Sequence, residues 1–313
     1  MSDPMIRIYD DLIISKRGKK NKVDPGRPYA FLVEKELTAA GKAEDVAVIF
    51  LTNTECPFSC LMCDLWKNTT DRPVPEGAIP EQIEYALKNL PGVKHVKLYN
   101  SGSFFDRRAV NRKDHARIAA ILSSFENVIV ECHPKLVTDE ILLFRDLLKP
   151  SLEIAMGLET VHEGILDKLN KKMSLEDFSR AADLLGKNHV SSRAFILLRP
   201  PFMTEEEGIF WAERSVDFAF DSGTGACTII PVRGGNGIME ELSEKGYFTA
   251  PSIKSLEKVL EYGIGLRRGR VFADTWDLDL FSDCDKCLTE RVRRITEMNL
   301  NQKFLTEVNC KCN

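Results

Sequence analysis

The chain has 313 residues, 43% of them hydrophobic, and a formal net charge of -4. This length allows one sizeable hydrophobic core, and the charge gives no overall attraction to nucleic acid or anionic membranes. The N-terminus lacks the apolar core of a signal peptide, and no later stretch approaches the roughly 20 apolar residues of a membrane span. We therefore expect a cytoplasmic protein with no membrane partner.

Strand-like apolar runs alternate with helix-like segments through the middle of the chain. The runs occupy residues 46–54, 93–101, 127–134, 152–160, 193–200 and 226–232. Helix-like segments with apolar residues at helical spacing follow them. This alternation argues for a parallel sheet. Six units whose strands are apolar on both faces predict an α/β fold, an open, partial (β/α)6 barrel.

Two flanking regions complete the predicted organisation. Residues 1–45 form an N-terminal extension, residues 46–249 the barrel, and residues 250–313 a small cysteine-rich C-terminal region. Repeats of fixed length and low-complexity tracts are absent from the sequence. We therefore expect one core with small appendages.

Polar, glycine and proline residues follow every predicted strand. Because the carboxyl ends of parallel strands converge on one mouth, such residues are candidates for ligand binding. The segments are TECPFSCLMCDLW (54–66), NSGSFF (100–105), ECHP (131–134), GLET (157–160), RPPF (199–202) and PVRGGNG (231–237). Gly, Asn and Pro also end strands for purely structural reasons, but six such exits together favour a ligand-lined mouth.

The chain has nine cysteines, and three of them lie in the loop after the first predicted strand, at Cys56, Cys60 and Cys63. In a reducing compartment such a group favours metal ligation over disulfides. A structural zinc ion wants four closed ligands, so three thiols from one loop do not complete it. In a cubane 4Fe-4S cluster three thiolates bind three irons and leave the fourth iron open. This group therefore favours a reactive cluster.

Four more cysteines lie near the C-terminus, in the pairs CDKC and CKC. They are Cys284, Cys287, Cys310 and Cys312. A helix-like segment separates the pairs and allows them to meet. Four thiols from two pairs satisfy a closed site, which fits either a structural zinc ion or an auxiliary 4Fe-4S cluster.

The C-x3-C-x2-C spacing after the first strand of such a barrel resembles the radical S-adenosylmethionine (radical SAM) superfamily. Further motifs resemble the archaeosine-biosynthesis radical SAM family and the elongator-type radical SAM group, and the chain looks closest to bacterial members of unassigned function. These motifs are KLYNSGSFFD, IAMGLET, LLRPPFMTEEEG and the terminal CDKC, MNLNQ and CKC.

The resemblance implies that Cys56, Cys60 and Cys63 hold a 4Fe-4S cluster and that SAM chelates its fourth iron. One electron would cleave SAM to methionine and a 5'-deoxyadenosyl radical, which abstracts a substrate hydrogen. Members of the archaeal family act with a transglycosylase-like partner and cleave a carbon-nitrogen bond in a lysine-derivatised 7-deazaguanine on transfer RNA.

The resemblance also assigns contacts to SAM. Met62 matches a position that lies against the adenine. Ser101, Gly102 and Ser103 replace the Gly-Gly-Glu-like element that usually contacts the SAM amino group. Hydroxyl groups and backbone carbonyls can also accept hydrogen bonds from that amino group. Glu159 matches a polar position directed toward the ribose or the amino acid part.

Two arginines and a glycine-rich turn are further candidates for binding SAM. Arg193 and Arg199 flank the fifth strand, and either can pair with the SAM carboxylate through a bidentate fork. Arg199 is nearer the expected mouth, and the alternative for Arg193 is a surface charge at the strand entry. Gly234 and Asn236 belong to a turn whose backbone can approach the adenine, where a side chain would collide.

Glu131 and His133, at the end of the third strand, are predicted catalytic residues that contact the substrate. An ionisable group near the mouth can donate or accept a proton during turnover. Cys132 between them is expected to pack as a small hydrophobe.

Three functional hypotheses follow. The leading one is a radical SAM enzyme for nucleoside or tRNA modification, or for a carbon-nitrogen lyase reaction or rearrangement of a small metabolite. The second is radical SAM sulfur insertion with an auxiliary cluster, and the third is a non-catalytic iron-sulfur electron-transfer protein. The expected partners are a reductant such as flavodoxin or ferredoxin and a protein that supplies tRNA binding.

Overall fold

The computed structural model describes residues 8–310, so the predicted metal ligand Cys312 lies outside the described residues. The strands are β1 (Ala30–Leu37), β2 (Ala43–Phe50), β3 (His95–Tyr99), β4 (Asn127–Glu131), β5 (Ser151–Glu159), β6 (Ser191–Leu198), β7 (Ala226–Pro231) and β8 (Arg270–Ala273). The helices are α1 (Asp10–Ser15), α2 (Ala78–Asn89), α3 (His115–Ile121), α4 (Asp139–Leu147), α5 (Glu163–Lys168), α6 (Leu175–Lys187), α7 (Glu205–Asp221), α8 (Ile238–Glu244), α9 (Ile253–Leu266) and α10 (Asp285–Asn301).

All eight strands form one curled sheet in chain order. β1 is antiparallel to β2, and each later pair of neighbours is parallel. The six predicted strands are β2 to β7, which confirms the α/β partial barrel. The sheet also extends beyond residues 46–249, because β1 precedes that range and β8 follows it.

The helices cover the outer face of the sheet with amphipathic surfaces. In α6 the buried residues Phe178, Ala181, Ala182 and Leu185 recur at helical spacing. Ser174 caps this helix, and Asp177 completes a capping box. Phe178 is fully buried, and burying such a side chain stabilises the fold by about 1.5–3 kcal/mol.

The seam between the first and last strands is closed by side chains from several elements. α10 packs against both β1 and β8. The amide of Gln302 bonds the backbone N–H and C=O of Val271, each at 2.7 Å, and the amide of Asn299 bonds those of Ala273 at 2.9 and 2.8 Å. Arg270 donates to the Leu37 carbonyl of β1 at 3.2 Å. The free edge of β8 is therefore satisfied by side chains rather than by another strand.

Within residues 8–310, none of the helices combines the length and the apolar character needed to cross a membrane.

Candidate cofactor and substrate site

A cavity of about 430 Å³ lies inside the curled sheet. Every strand contributes to its wall, and so do all three cysteines of the loop after β2. The loop begins where β2 ends, so these thiols lie at the carboxyl-terminal mouth of the barrel, the usual position for functional groups in parallel βα folds. We call this space the barrel cavity.

Three backbone anchors hold the cysteine loop, residues 54–66. Asn236 donates from Nδ2 to the carbonyls of Leu61 at 2.7 Å and Cys63 at 3.2 Å. Asn170 donates to the Ser59 carbonyl at 2.7 Å, and the Leu61 N–H donates to the Leu169 carbonyl at 2.9 Å. These contacts come from the segments after α5 and β7, so tertiary packing fixes the loop.

The three thiols of the loop are enclosed. Cys60 is buried, and Cys56 and Cys63 are half-buried. Burial raises the pKa of the Cys56 thiol to about 11 and the pKa values of Cys60 and Cys63 to about 12. A bound metal would supply the positive charge that these thiolates need.

The spacing of these sulfurs fits a cluster better than one ion. All three residues are described, yet their sulfurs do not all lie within 4.8 Å of one another. A single tetrahedral zinc ion with Zn–S bonds of about 2.3 Å would bring its sulfurs to about 3.8 Å apart. Thiolates that bind different irons of a cubane are farther apart. The donor set therefore fits a 4Fe-4S cluster with one open iron.

A buried ion pair lies beside the thiols. Lys171 Nζ is 2.5 Å from Glu159 Oε1, and both side chains line the barrel cavity. Burial alone would lower the pKa of Lys171, but the Glu159 carboxylate and nearby thiols keep it above its usual value. A Cβ atom at Gly157 would collide with both groups, so this glycine makes room for the pair.

His133 supports the segment that carries Lys171. Its Nε2 is 3.0 Å from the Lys171 carbonyl, and its Nδ1 accepts from the Lys135 N–H at 3.2 Å. Its ring stacks on Phe58 of the cysteine loop with centroids 3.8 Å apart. Burial lowers the pKa of His133 to about 3, so the imidazole stays neutral. Both nitrogens are engaged by backbone, and its predicted catalytic role stays a prediction.

Three archaeal proteins are similar in sequence to this chain. No family model matches the chain. It is 26% identical to the uncharacterized protein MJ0550 of Methanocaldococcus jannaschii, over 94% of this chain and 87% of that protein. It is 26% identical to archaeosine synthase subunit beta of Methanosarcina acetivorans over 96% of this chain and 92% of that protein. For the subunit of the same name in Thermococcus kodakarensis the identity is 27%, over 72% and 74%.

Among solved structures, the chain is similar to the archaeal Methanocaldococcus infernus Elp3, with a TM-score of 0.50 and 15% sequence identity. The similarity covers 70% of this chain and 57% of the Elp3 chain. This chain has the radical SAM fold. The resemblance that its motifs predicted, to radical SAM enzymes and to the archaeosine-biosynthesis family, is confirmed. At 15% identity the structural similarity establishes the fold alone.

Some of the predicted SAM contacts near the cysteines form the wall of the barrel cavity, and others lie behind that wall and support it. Met62, Ser101, Gly102 and Glu159 line the barrel cavity. A Cβ atom at Gly102 would lie 3.2 Å from the Cβ of Cys56, so glycine permits a close approach of the two loops. Ser101 donates to the Tyr29 hydroxyl at 3.3 Å.

Other predicted contacts lie behind the cavity wall. Ser103 donates to the Cys132 thiol at 3.4 Å and accepts from the His133 N–H at 3.2 Å. Asn236 is buried and holds the cysteine loop, and Gly234 faces the carboxylate of Glu240, which the backbone of the turn binds. Direct contact of these residues with SAM stays a prediction.

The two candidate arginines have different surroundings. Arg193 is 2% exposed and lines the cavity, so the alternative of a surface charge at the strand entry is wrong. Its guanidinium binds Glu36 at 2.6 and 2.9 Å and Glu153 at 2.7 Å. Arg199 lies outside the cavity wall and binds Glu205 at 2.5 Å. With both forks occupied by protein carboxylates, their pairing with SAM stays a prediction.

The barrel cavity has a charged floor. Lys97 lies 2.5 Å from both Glu34 and Glu36, and Arg270 binds Glu153 at 2.9 Å. Together with Arg193 these groups form three cations and three carboxylates, which balance. The floor therefore has no net charge, and it closes the end of the barrel opposite the cysteine loop.

The middle of the cavity is aromatic. Phe50 lies 6.0 Å from both Tyr99 and Trp276 between ring centroids, and Tyr99 lies 6.4 Å from Phe195. Thr228 Oγ1 is buried there with no hydrogen-bond partner among the described residues. Aromatic walls with few polar groups suit a flat or apolar part of a ligand.

Glu131 brings a carboxyl group to the middle of the barrel cavity. It lines the cavity and accepts from the Asn100 N–H at 3.1 Å. Burial raises the pKa of its carboxyl to about 7. A carboxyl group that titrates near neutral pH can donate or accept a proton.

The sequence pointed to Glu131 but missed Lys171, a buried cation whose charge acts on all three thiols. Lys171 lies in LNKKM, between α5 and α6 and away from any strand exit. The only available signal was two consecutive lysines in the short segment between the two helices.

A second cysteine group lies far along the chain. The sulfurs of Cys284, Cys287 and Cys310 all lie within 4.8 Å of one another and can hold a metal.

Proposed function

We propose that the protein is a radical SAM enzyme that binds a 4Fe-4S cluster through Cys56, Cys60 and Cys63 and acts on a substrate held in the barrel cavity. One observation carries the proposal: three thiols of one loop, whose sulfurs do not all lie within 4.8 Å of one another, line a deep cavity of a radical SAM fold. When bound, the cluster and SAM supply a 5'-deoxyadenosyl radical that abstracts a substrate hydrogen.

The residues around the thiols support a binding mode for SAM. Lys171 is the buried ammonium beside the cysteines, and we assign it to the SAM carboxylate. Glu159 and Ser101 are acceptors on the same wall and suit the SAM ammonium, while Met62 offers an apolar surface to the adenine. Gly102 lets the two loops close over this region.

Deeper residues support a substrate site. The aromatic wall excludes water and packs against a flat or apolar part of the substrate, which protects a reactive radical from solvent. Glu131 reaches the same space and holds or accepts a proton there. We propose that Glu131 is the group that moves a proton when the substrate radical collapses to product.

The relatives named archaeosine synthase subunit beta support the archaeosine-family reaction that the sequence motifs imply, carbon-nitrogen bond cleavage on a nucleoside. The chain covers 92% of the Methanosarcina acetivorans archaeosine synthase subunit beta, so the likeness extends over almost the whole protein. We propose a modified nucleoside in tRNA as the substrate and a second subunit that binds the tRNA. A carbon-nitrogen lyase reaction or rearrangement of a small metabolite is the alternative. Flavodoxin or ferredoxin would supply the electron.

The other two hypotheses receive less support. Sulfur insertion needs an auxiliary cluster, but the sulfurs of the C-terminal group are as close as ligands of one ion. Electron transfer alone does not require a deep aromatic cavity beside the cluster.

Electron paramagnetic resonance tests the proposed function. We expect the reduced, anaerobically reconstituted protein to give a 4Fe-4S signal that changes when SAM is added, and to form 5'-deoxyadenosine. A variant with alanine at Cys56, Cys60 and Cys63 should lose both. Cys227→Ala, at a buried thiol outside the cavity wall, is the matched control and should keep both. A wild-type spectrum that SAM leaves unchanged would favour the electron-transfer alternative.

A further inference from the structure

The C-terminal cysteine group, Cys284, Cys287 and Cys310, surrounds one point in space. Cys284 directly precedes α10, Cys287 lies in its first turn, and Cys310 returns to it after the helix has ended. The sulfurs of Cys284 and Cys310 are 3.8 Å apart, and all three lie within 4.8 Å of one another.

These distances discriminate between one ion and a cluster. Four thiolates around a tetrahedral ion with metal-sulfur bonds of about 2.3 Å are about 3.8 Å apart. The Cys284–Cys310 distance has this value. Thiolates on separate irons of a cubane are farther apart. The C-terminal group is therefore too compact for an auxiliary 4Fe-4S cluster.

The surroundings are those of a supported metal site. Arg291 donates from Nε to the Cys287 sulfur at 3.4 Å and from Nη2 to the Val308 carbonyl at 3.3 Å, and its Nη1 pairs with Glu257 of α9. A thiolate site with more negative charge than its ion gains from such a neighbouring cation. Outer hydrogen bonds of this kind orient metal ligands.

We propose that Cys284, Cys287 and Cys310 supply three of the four ligands of a single tetrahedral ion, with zinc as the metal, and that this ion fixes α10 as the closing wall of the barrel cavity. The proposal does not depend on the radical SAM function, because it concerns a separate set of thiols.

α10 connects the ion to the cavity. Its N-terminal end carries Cys287, and its C-terminal end carries Asn299 and Leu300, which line the barrel cavity. Asn299 and Gln302 also hold the free edge of β8. Loss of the ion would release Cys310 from the start of the helix, and the seam between β8 and β1 would loosen.

Metal analysis of the full chain, purified without oxygen, tests the metal. We expect about one zinc ion per chain in addition to the iron of the loop cluster. Replacing zinc with cobalt(II) should give the intense visible absorption of tetrahedral cobalt-thiolate coordination. About four extra irons and no zinc, or cobalt in octahedral coordination, would overturn the proposal.

Paired variants separate the two sites. Cys284→Ser and Cys310→Ser should lose zinc and keep the loop iron, whereas Cys60→Ser should lose iron and keep zinc. Cys227→Ser is the matched control and should keep both metals. Zinc retained in both C-terminal variants would contradict the assignment.

Hydrogen exchange tests whether the ion stabilises the wall of the barrel cavity. It uses the wild-type protein, so no variant has to fold. Zinc is removed from the wild-type protein with a chelator and then restored. The amides of Val271 and Ala273, which donate to Gln302 and Asn299, should exchange at least tenfold faster without zinc. Those of β4, remote from α10, should not change. Equal exchange at Val271 and Ala273 with and without zinc would refute the coupling.

Discussion

Lys171 carries a positive charge beside three thiols, in a cavity whose other deep cations serve a different purpose. Lys97 and Arg193 are bound by the carboxylates of the floor, whereas within residues 8–310 Lys171 pairs with Glu159 alone. An incoming carboxylate can therefore share Lys171 without dismantling the floor.

Replacing Lys171 tests its assignment to the SAM carboxylate. We expect Lys171→Gln to raise the dissociation constant of SAM roughly tenfold to a hundredfold, since a hydrogen bond to a charged group contributes about 1.5–3 kcal/mol. Anaerobic calorimetry on the cluster-loaded protein measures this constant. Lys172→Gln, at the more exposed neighbouring lysine, is the control and should bind SAM as the wild type does. Equal affinities in all three proteins would refute the assignment.

Glu131 makes stability depend on pH. Burial raises the pKa of its carboxyl from 4.5 to about 7, so the folded state holds the proton more tightly than the unfolded state. The bound proton therefore stabilises the folded state below pH 4.5. This stabilisation, about 3 kcal/mol, is lost as the pH rises through 7. The deprotonated carboxylate is therefore the destabilised form.

Glu131→Gln removes this titration and keeps an acceptor for the Asn100 N–H. We expect the variant to be more stable relative to the wild type at pH 8 than at pH 5. The difference between their free energies of unfolding should change by about 2–3 kcal/mol between these two pH values. Urea unfolding of both proteins at the two pH values gives the difference. The same difference at both values would mean that the carboxyl has an ordinary pKa.

At the scale of elements, the cysteine loop depends on partners distant in sequence. Asn236 alone binds two of its carbonyls and also accepts from the Met239 N–H at 3.0 Å. The loop has only a short 3-10 turn, at Leu65–Asn68, so its shape comes from these anchors.

Asn236→Ala should release the loop while leaving all ligands in place. Buried carbonyls that lose their donor cost about 1–3 kcal/mol, and we expect the variant to lose most of its iron on gel filtration after reconstitution. Asn301→Ala, at an exposed helix end, is the control and should retain iron. Normal iron content in Asn236→Ala would show that the loop holds its shape without this anchor.

At the scale of the whole molecule, the charged floor joins strands that are far apart in sequence. Arg193 of β6 binds Glu36 of β1 and Glu153 of β5, and Arg270 of β8 binds Glu153 as well. The network closes the barrel where β1 and β8 meet.

Arg193→Met should destabilise the fold by about 3–5 kcal/mol, because it takes one cationic partner from both Glu36 and Glu153 and leaves the buried network with an excess negative charge. Urea unfolding measures the loss, and high salt should not reduce it, since buried pairs are poorly screened. Arg214→Met, at an exposed helix position, should cost less than about 1 kcal/mol. A stable Arg193→Met protein with weakened SAM binding would instead support a direct contact between Arg193 and SAM.

Elements whose signal is local could be predicted from the sequence. The apolar runs of β2 to β7 are recognisable because parallel strands are buried on both faces, and the loop cysteines because their spacing is short. β1 was missed because its second half is a run of three charged residues, Glu34 to Glu36, and Glu34 and Glu36 turn inward to Lys97 instead of out to solvent. β8 was missed because it has only four residues.

The roles of the charged and sulfur groups depend on contacts between distant segments, so they could not be predicted from the sequence. Lys171 comes to the thiols, and Arg193 to the floor, because segments separated by tens of residues converge at the two ends of one barrel. Likewise, the sequence left the C-terminal metal open between zinc and a cluster, since spacing along the chain does not fix sulfur-sulfur distances. Those distances depend on where α10 begins and on how the chain returns to it, and both follow from packing against α9, β1 and β8.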